Sequence, residues 1–137
     1  PGTKVRRTSS LAIYIDQSGS VGDDGIAMFF SALAGLAKNV SFKVFHFDTA
    51  VDKNSEYSWR KGQKYRTPMR TLTGGTSFNC VEDHFRTRSS EFDGCIVMTD
   101  GCAPKPKTCI SKRCWVLLPG YKLVFPKEKR DSIVLMS

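Results

Sequence analysis

The sequence predicts a single α/β domain: a doubly wound, mostly parallel sheet with one antiparallel edge strand and helices on both faces. Three observations support this fold class. Short apolar runs typical of buried strands recur along the chain, segments with helical apolar spacing lie between some of them, and the order is strand, helix, strand, strand, helix, strand. Because 137 residues suit one core of ordinary size, we expect one domain over residues 1–137. The chain begins with Pro1 rather than Met, which is compatible with the carboxyl-terminal fragment of a longer protein.

The first strand and the first helix have the clearest patterns. Leu11 to Ile15 is a compact apolar run between Ser10 and Asp16, which is typical of a strand buried on both faces. The glycines and aspartates of residues 19–25 then indicate a turn whose acidic side chains suit the positive end of a helix. Apolar residues recur at helical spacing after this turn, namely Ile26, Phe29, Phe30, Leu33, Leu36, Ala37 and Val40. We therefore predict a helix that begins in this turn and stops near Asn39.

The rest of the chain contains further strands and one more helix. We predict strands over residues 41–47, 94–99, 113–118 and 132–136. Asp48-Thr49-Ala50 favours a tight turn into a short antiparallel strand near Val51, and the polar residues 53–73 are expected to form an excursion with one edge strand. The spacing of Phe78, Val81 and Phe85 predicts a second, shorter helix that ends near Ser89 or Ser90.

The amino-acid composition limits the classes of function that we expect for this chain. No apolar run approaches the roughly twenty residues needed to cross a bilayer. The five cysteines are an odd number without a Cys-x-x-Cys pair, so we expect reduced thiols in the cytoplasm. Three of them, Cys102, Cys109 and Cys114, are loosely spaced and fit a tetrahedral zinc site poorly. The net charge of +8 suits nucleic acid or an acidic protein surface as a partner, and solubility alone explains it equally well.

Three short segments carry candidate ligands for a metal ion: Asp16-Gln17-Ser18-Gly19-Ser20, Gly74-Gly75-Thr76-Ser77 and Thr99-Asp100-Gly101. Each follows a predicted strand or lies where a loop enters a helix, and such loops converge on one crevice in an open α/β sheet. Hydroxyls with a few carboxylates suit Mg²⁺, which takes six oxygens at about 2.1 Å. We therefore predict a Mg²⁺ or Mn²⁺ site with the ligands Asp16, Ser18, Ser20, Thr76 and Asp100. The alternative is a purely structural use of these loops, in which the two aspartates cap turns.

The five candidate ligands resemble the metal-ion-dependent adhesion site of von Willebrand factor A (VWA) domains, whose pattern is D-x-S-x-S, then T, then D. The resemblance implies that the hydroxyls contact the metal directly or through water and that the aspartates act mostly through water. It also implies that a partner's carboxylate fills the remaining position. A closer resemblance is to the VWA-like domain of a bacterial and phage metallopeptidase-like family, in residues 13–21, 74–76, 98–101 and 115–117. Gln17 and Ser77 depart from the residues usual in that family.

Domains of this kind are often encoded beside MoxR-like AAA+ ATPases. The resemblance therefore implies such a machine, or its substrate, as the protein partner. Together with the metal site, it leads us to expect a metal-dependent protein-binding module rather than an enzyme.

The main alternative is nucleic-acid binding through residues 57–70, where aromatic and cationic side chains interleave. Stacking and phosphate contacts require such side chains, and the candidates are Trp59, Arg60, Lys61, Lys64, Tyr65 and Arg66. An exposed edge segment explains the same composition. Catalysis is not expected, because Ser18 and Ser20 lack the frame of a nucleophilic serine. Cys80 with His84 fits a buried cysteine beside a packed histidine better than a thiolate with its base.

Overall fold

The computed structural model describes residues 10–63, 68, 70–107 and 112–137. This part of the chain contains the strands β1 (Ser10–Asp16), β2 (Ser41–Phe47), β3 (Val51–Trp59), β4 (Gly94–Thr99), β5 (Arg113–Leu117) and β6 (Ser132–Leu135). It also contains the helices α1 (Asp23–Leu36) and α2 (Phe78–Arg88), with a 3₁₀ turn at Ser89–Glu91. No helix within these ranges is long and apolar enough to span a membrane.

The six strands form one sheet in the order β3-β2-β1-β4-β5-β6. Neighbouring strands are parallel except for β2 and β3, which pair antiparallel at the edge. The predicted doubly wound sheet with one antiparallel edge strand is therefore confirmed. The chain builds outward from β1 in one direction and then returns to build from β4 in the other, so the loops after β1 and β4 border the crevice of this fold.

The core lies on both faces of the sheet, and β1 shows why its sequence is a continuous apolar run. Ile13 and Ile15 pack with Phe29 and Leu33 of α1, whereas Ala12 and Tyr14 face the opposite cluster, which α2 covers. A central parallel strand covered in this way has no face that tolerates polar side chains. The predicted helices on both faces are confirmed.

Strand β3 is longer than the sequence predicts. We expected a short partner near Val51, but the strand covers nine residues and pairs with β2 across an irregularity between Val44 and His46. Most of its side chains are half-buried or exposed, because an edge strand has a neighbour on one side only. A polar edge strand of this kind leaves no apolar run to detect in the sequence. At the other edge of the sheet, β5 and β6 each end one residue before the predicted limit.

A buried ionic cluster joins α2 to the outer strands. Arg113 at the start of β5 bonds Glu82 of α2 through one guanidinium nitrogen and donates through another to Asp131 at 2.8 Å. Trp115 Nε1 donates to the same Asp131 oxygen at 2.9 Å, and the guanidinium lies 4.7 Å from the centre of the Trp115 ring. Removing one partner of such a buried pair typically costs about 3–5 kcal/mol. The cluster thus fixes the start of β5, at the end of the strand opposite to the crevice.

Candidate metal site at the strand ends

Asp16, the last residue of β1, is the buried anchor of the site. One carboxylate oxygen accepts the Ser18 N–H at 2.8 Å and the other accepts the Thr99 hydroxyl at 2.6 Å. Burial raises the pKa of Asp16 above its usual value, the hydrogen bonds from Ser18 and Thr99 oppose this shift, and the nearby charge of Asp100 adds to it. A neighbouring cation would stabilise the ionised form of this side chain.

Ser18, Ser20 and Asp100 form a continuous chain of oxygens beside Asp16. The Ser18 and Ser20 hydroxyl oxygens are 3.2 Å apart, and Ser20 donates to one Asp100 oxygen at 2.6 Å. The other Asp100 oxygen accepts the Cys102 N–H at 3.0 Å. Ser18 and Asp100 are buried whereas Ser20 is exposed. The chain of oxygens therefore reaches solvent at its middle member, Ser20, and is buried at both ends.

Thr76, the fifth predicted ligand, lies in the loop before α2, which hydrogen bonds hold against the loops after β1 and β2. Gly19 N–H donates to the Gly74 carbonyl at 3.0 Å, and Asp48 accepts the Gly74 N–H at 3.1 Å. The Ser77 N–H is bonded to the Asp48 carbonyl at 2.9 Å. Within the described ranges, no hydrogen bond joins the half-buried Thr76 side chain to the other four predicted ligands. The structure therefore brings four of the predicted residues together directly and Thr76 through its loop.

Further side chains hold these loops, and no pattern in the sequence indicates their role. Thr99 bonds Asp16, and the Gln17 side-chain oxygen accepts the Thr71 N–H at 2.7 Å. The Thr71 hydroxyl in turn lies 3.0 Å from Nδ1 of the buried His46. Gln17 thus connects the loop after β1 to the segment that leads to Thr76. It is one of the residues at which this chain departs from the VWA-like family that its sequence resembles.

The chemistry of the donor set fits a hard divalent cation. Within the described ranges, no three His, Cys, Asp or Glu side chains gather as a metal site, and the donors here are two carboxylates with hydroxyls. Each carboxylate oxygen already accepts one hydrogen bond and has capacity for another. Because the Ser20 hydroxyl donates its hydrogen bond to Asp100, Ser18 is the donor in the contact between the two serines, and one lone pair of the Ser20 oxygen remains for a cation.

The first aromatic candidate for nucleic-acid binding, Trp59, is not accessible to a nucleic acid. Trp59 is fully buried, with ring centroids 5.4 Å from Phe42 and 6.4 Å from Phe30, so it cannot stack on a base while the domain is folded. The expected stacking role of Trp59 is wrong, because the apolar end of β3 closes the core. Arg60 and Lys61 are exposed. The remaining candidates, Lys64, Tyr65 and Arg66, lie outside the described residues.

Cys80 and His84 are each bonded to another residue. The Cys80 thiol donates to the Ser77 carbonyl at 3.0 Å, and burial raises the pKa of Cys80 to about 12. His84 Nδ1 lies 2.8 Å from the Tyr14 hydroxyl instead of facing a thiolate. Free thiols are found at Cys80, Cys95, Cys102 and Cys114, and Cys109 lies outside the described residues.

A comparison with solved structures identifies the fold. The crystal structure of the ArnB paralog VWA2 from Sulfolobus acidocaldarius matches 85% of this chain with a TM-score of 0.54 and 17% sequence identity. The chain has a VWA-like fold. It corresponds to 36% of that protein's chain, and at this identity the likeness concerns the fold alone. No protein-family profile and no curated protein sequence matches the chain.

Proposed function

We propose that this VWA-like domain is a protein-binding module that depends on a divalent metal ion, Mg²⁺ or Mn²⁺. The observation that carries the proposal is the chain of oxygens from Ser18 through Ser20 to Asp100, with Asp16 beside it, at the ends of adjacent strands. Thr76 is the fifth ligand of the proposed site. The residues that would contact the ion directly carry neutral hydroxyls, so a bound ion would supply an electrophilic centre that suits a carboxylate of the partner.

The charge of the domain favours an acidic partner. A net charge of +8 steers an incoming carboxylate toward the exposed Ser20 of the site, an effect that weakens with salt. The sequence resemblance names a MoxR-like AAA+ ATPase, or the substrate of such a machine, as the class of partner. We place this function in the cytoplasm, where the cysteines remain reduced.

Binding without catalysis is part of the proposal. Metal-assisted hydrolysis needs a base beside the metal-bound water. The sequence has two histidines, and both are engaged elsewhere, His46 with Thr71 and His84 with Tyr14. Asp16 and Asp100 already accept hydrogen bonds from the loops that they hold.

The metal is tested by calorimetry on EDTA-stripped protein titrated with MgCl₂ and then with MnCl₂. We expect one binding event in the wild type and none in the double variant Ser18→Ala with Ser20→Ala, because two direct ligands are removed. A control with Ser31→Ala and Ser132→Ala removes two exposed serines, one in α1 and one at the amino end of β6, and should bind as the wild type does. Equal binding heats in all three proteins would contradict the proposed site.

The open coordination position is tested on the same material with acetate as the carboxylate. At saturating Mn²⁺, added acetate should lower the water-proton relaxation, since it displaces a metal-bound water. Unchanged relaxation would show that the ion has no position for a partner's carboxylate.

A further inference from the structure

We propose that Arg70 is a positioning residue for the metal site, whose guanidinium shapes the loop that carries Ser18 and Ser20. This inference rests on the proposed metal function and assigns a role to a side chain that is itself no metal ligand. Arg70 lies in the segment between β3 and α2, and its side chain is 21% exposed. It donates to backbone carbonyls of the loop after β1, at Gln17 and Val21.

The peptide between Gln17 and Ser18 is held from both sides. Its oxygen accepts Arg70 Nη1 at 2.7 Å, and its N–H, which belongs to Ser18, donates to Asp16 at 2.8 Å. Because a peptide group is planar, two opposed hydrogen bonds fix its orientation. Without the guanidinium, this plane keeps its hydrogen bond to the Asp16 carboxylate and loses the contact that opposes it.

The next peptide, between Ser18 and Gly19, is held in the same manner. Its oxygen accepts the Val21 N–H at 3.0 Å and lies 3.4 Å from Arg70 Nη1, while the Gly19 N–H donates to the Gly74 carbonyl at 3.0 Å. With both flanking planes fixed, the direction in which Ser18 projects its side chain is fixed as well. Arg70 thus acts on the geometry of a direct ligand through the backbone.

A guanidinium suits this task better than an ammonium group. Arginine presents five N–H donors in a rigid fork, whereas lysine offers a compact charge on a flexible stem. Here Nη1 also lies 3.3 Å from the Leu72 carbonyl, so one side chain joins the loop after β1 to the segment that leads to Thr76. A lysine at this position keeps the charge and loses the simultaneous contacts.

The ion pair of Arg70 with Asp23 does not explain the arrangement. Arg70 Nε donates to Asp23 at 3.0 Å, but the Asp23 side chain is 90% exposed. Exposed pairs of this kind contribute little to stability. The carbonyl contacts are therefore the functional ones, and the variant Asp23→Asn separates the two.

The test measures Mn²⁺ affinity by calorimetry and the melting temperature in EDTA for the wild type and three variants. We expect Arg70→Lys to weaken Mn²⁺ binding at least tenfold, and Asp23→Asn to leave it unchanged. Arg88→Lys is the matched control, because Arg88 is 23% exposed and bonds Glu56 and Glu91 away from the site. It should lower the melting temperature in EDTA without changing the Mn²⁺ affinity.

The possible results test the positioning role of Arg70 and the metal site separately. If Arg70→Lys does not fold, Arg70→Gln replaces it, since glutamine can retain one donor to the Gln17 carbonyl. Mn²⁺ binding of equal affinity by the wild type and a folded Arg70 variant overturns the positioning role and leaves the metal site standing. No Mn²⁺ binding by the wild type overturns the proposed function, and the positioning role with it.

Discussion

Single polar side chains around the candidate site hold the neighbouring loops in place. His46 is an example: it is buried between Phe30 and Tyr57, and its Nδ1 shares a hydrogen bond with Thr71. Its other ring nitrogen, Nε2, has no hydrogen-bond partner among the described residues. Burial lowers the pKa of His46 to about 4, and the nearby charge of Asp52 opposes this shift. The fold therefore accepts this ring in its neutral form.

This histidine should make the domain sensitive to mild acid. Its pKa is lower in the folded state than its ordinary value of 6.5, so its contribution to stability is complete above pH 6.5 and is lost as the pH falls toward 4. The loss at pH 4.5 is roughly 2 kcal/mol. Urea unfolding at pH 7 and pH 4.5 should show a smaller fall for His46→Gln than for the wild type. Parallel behaviour of the wild type and His46→Gln would refute the assignment.

The sequence could predict site residues that share a side-chain pattern, but not those that act on the backbone. The alternation of Asp16, Ser18 and Ser20 after an apolar run is visible in the sequence, and the structure brings them together with Asp100. In the sequence, Arg70 is only the last of the cationic residues in segment 57–70. Its partners are mainly carbonyl oxygens, which every residue has, so no spacing of residue types reveals them.

At the scale of elements, the loop after β4 shows how the end of a strand is shaped for the site. Gly101 follows Asp100 and has a φ of +76°, a conformation that glycine adopts without strain. A side chain here would place its Cβ 2.8 Å from the Lys122 carbonyl oxygen. Gly120 has a similar φ of +82°, but nothing lies near the position of its Cβ.

These two glycines provide a matched pair of variants. Gly120→Ala should cost about 1–2 kcal/mol, the strain of a side chain in the left-handed region. Gly101→Ala should cost more, because the backbone at Lys122 must also move, and it should weaken Mn²⁺ binding by displacing Asp100. Chemical denaturation gives the two free energies of unfolding. Equal losses in both variants would mean that the contact with Lys122 is easily relieved.

The elements that the sequence predicted well are those in which the apolar pattern and the fold agree. Strand β2 has the predicted limits, and β1 extends its apolar run by one residue at each end. The limits of β3 escaped prediction because its pairing with β2, rather than its own apolar content, makes it a strand. Pairing between distant segments leaves little local trace in the sequence.

At the scale of the whole molecule, protection from solvent falls from the middle of the sheet to the β6 edge. Strand β1 has neighbours on both sides and a helix over each face, and its residues 12–16 are fully buried. Strand β6 has β5 as its neighbour, and Ile133, Val134 and Leu135 are 40%, 51% and 65% exposed. Apolar burial therefore stabilises β1 far more than β6.

The central position of β1 has a consequence for motion. Amide hydrogen exchange reports local openings, which need the least free energy where few buried contacts must break. We expect the β6 amides to exchange through such openings and the β1 amides only through global unfolding, as mass spectrometry after timed exchange in D₂O can show. Similar exchange rates for both strands would contradict this order. Because Asp16 ends β1, the carboxylate at the base of the candidate site should stay in place each time the outer strands open.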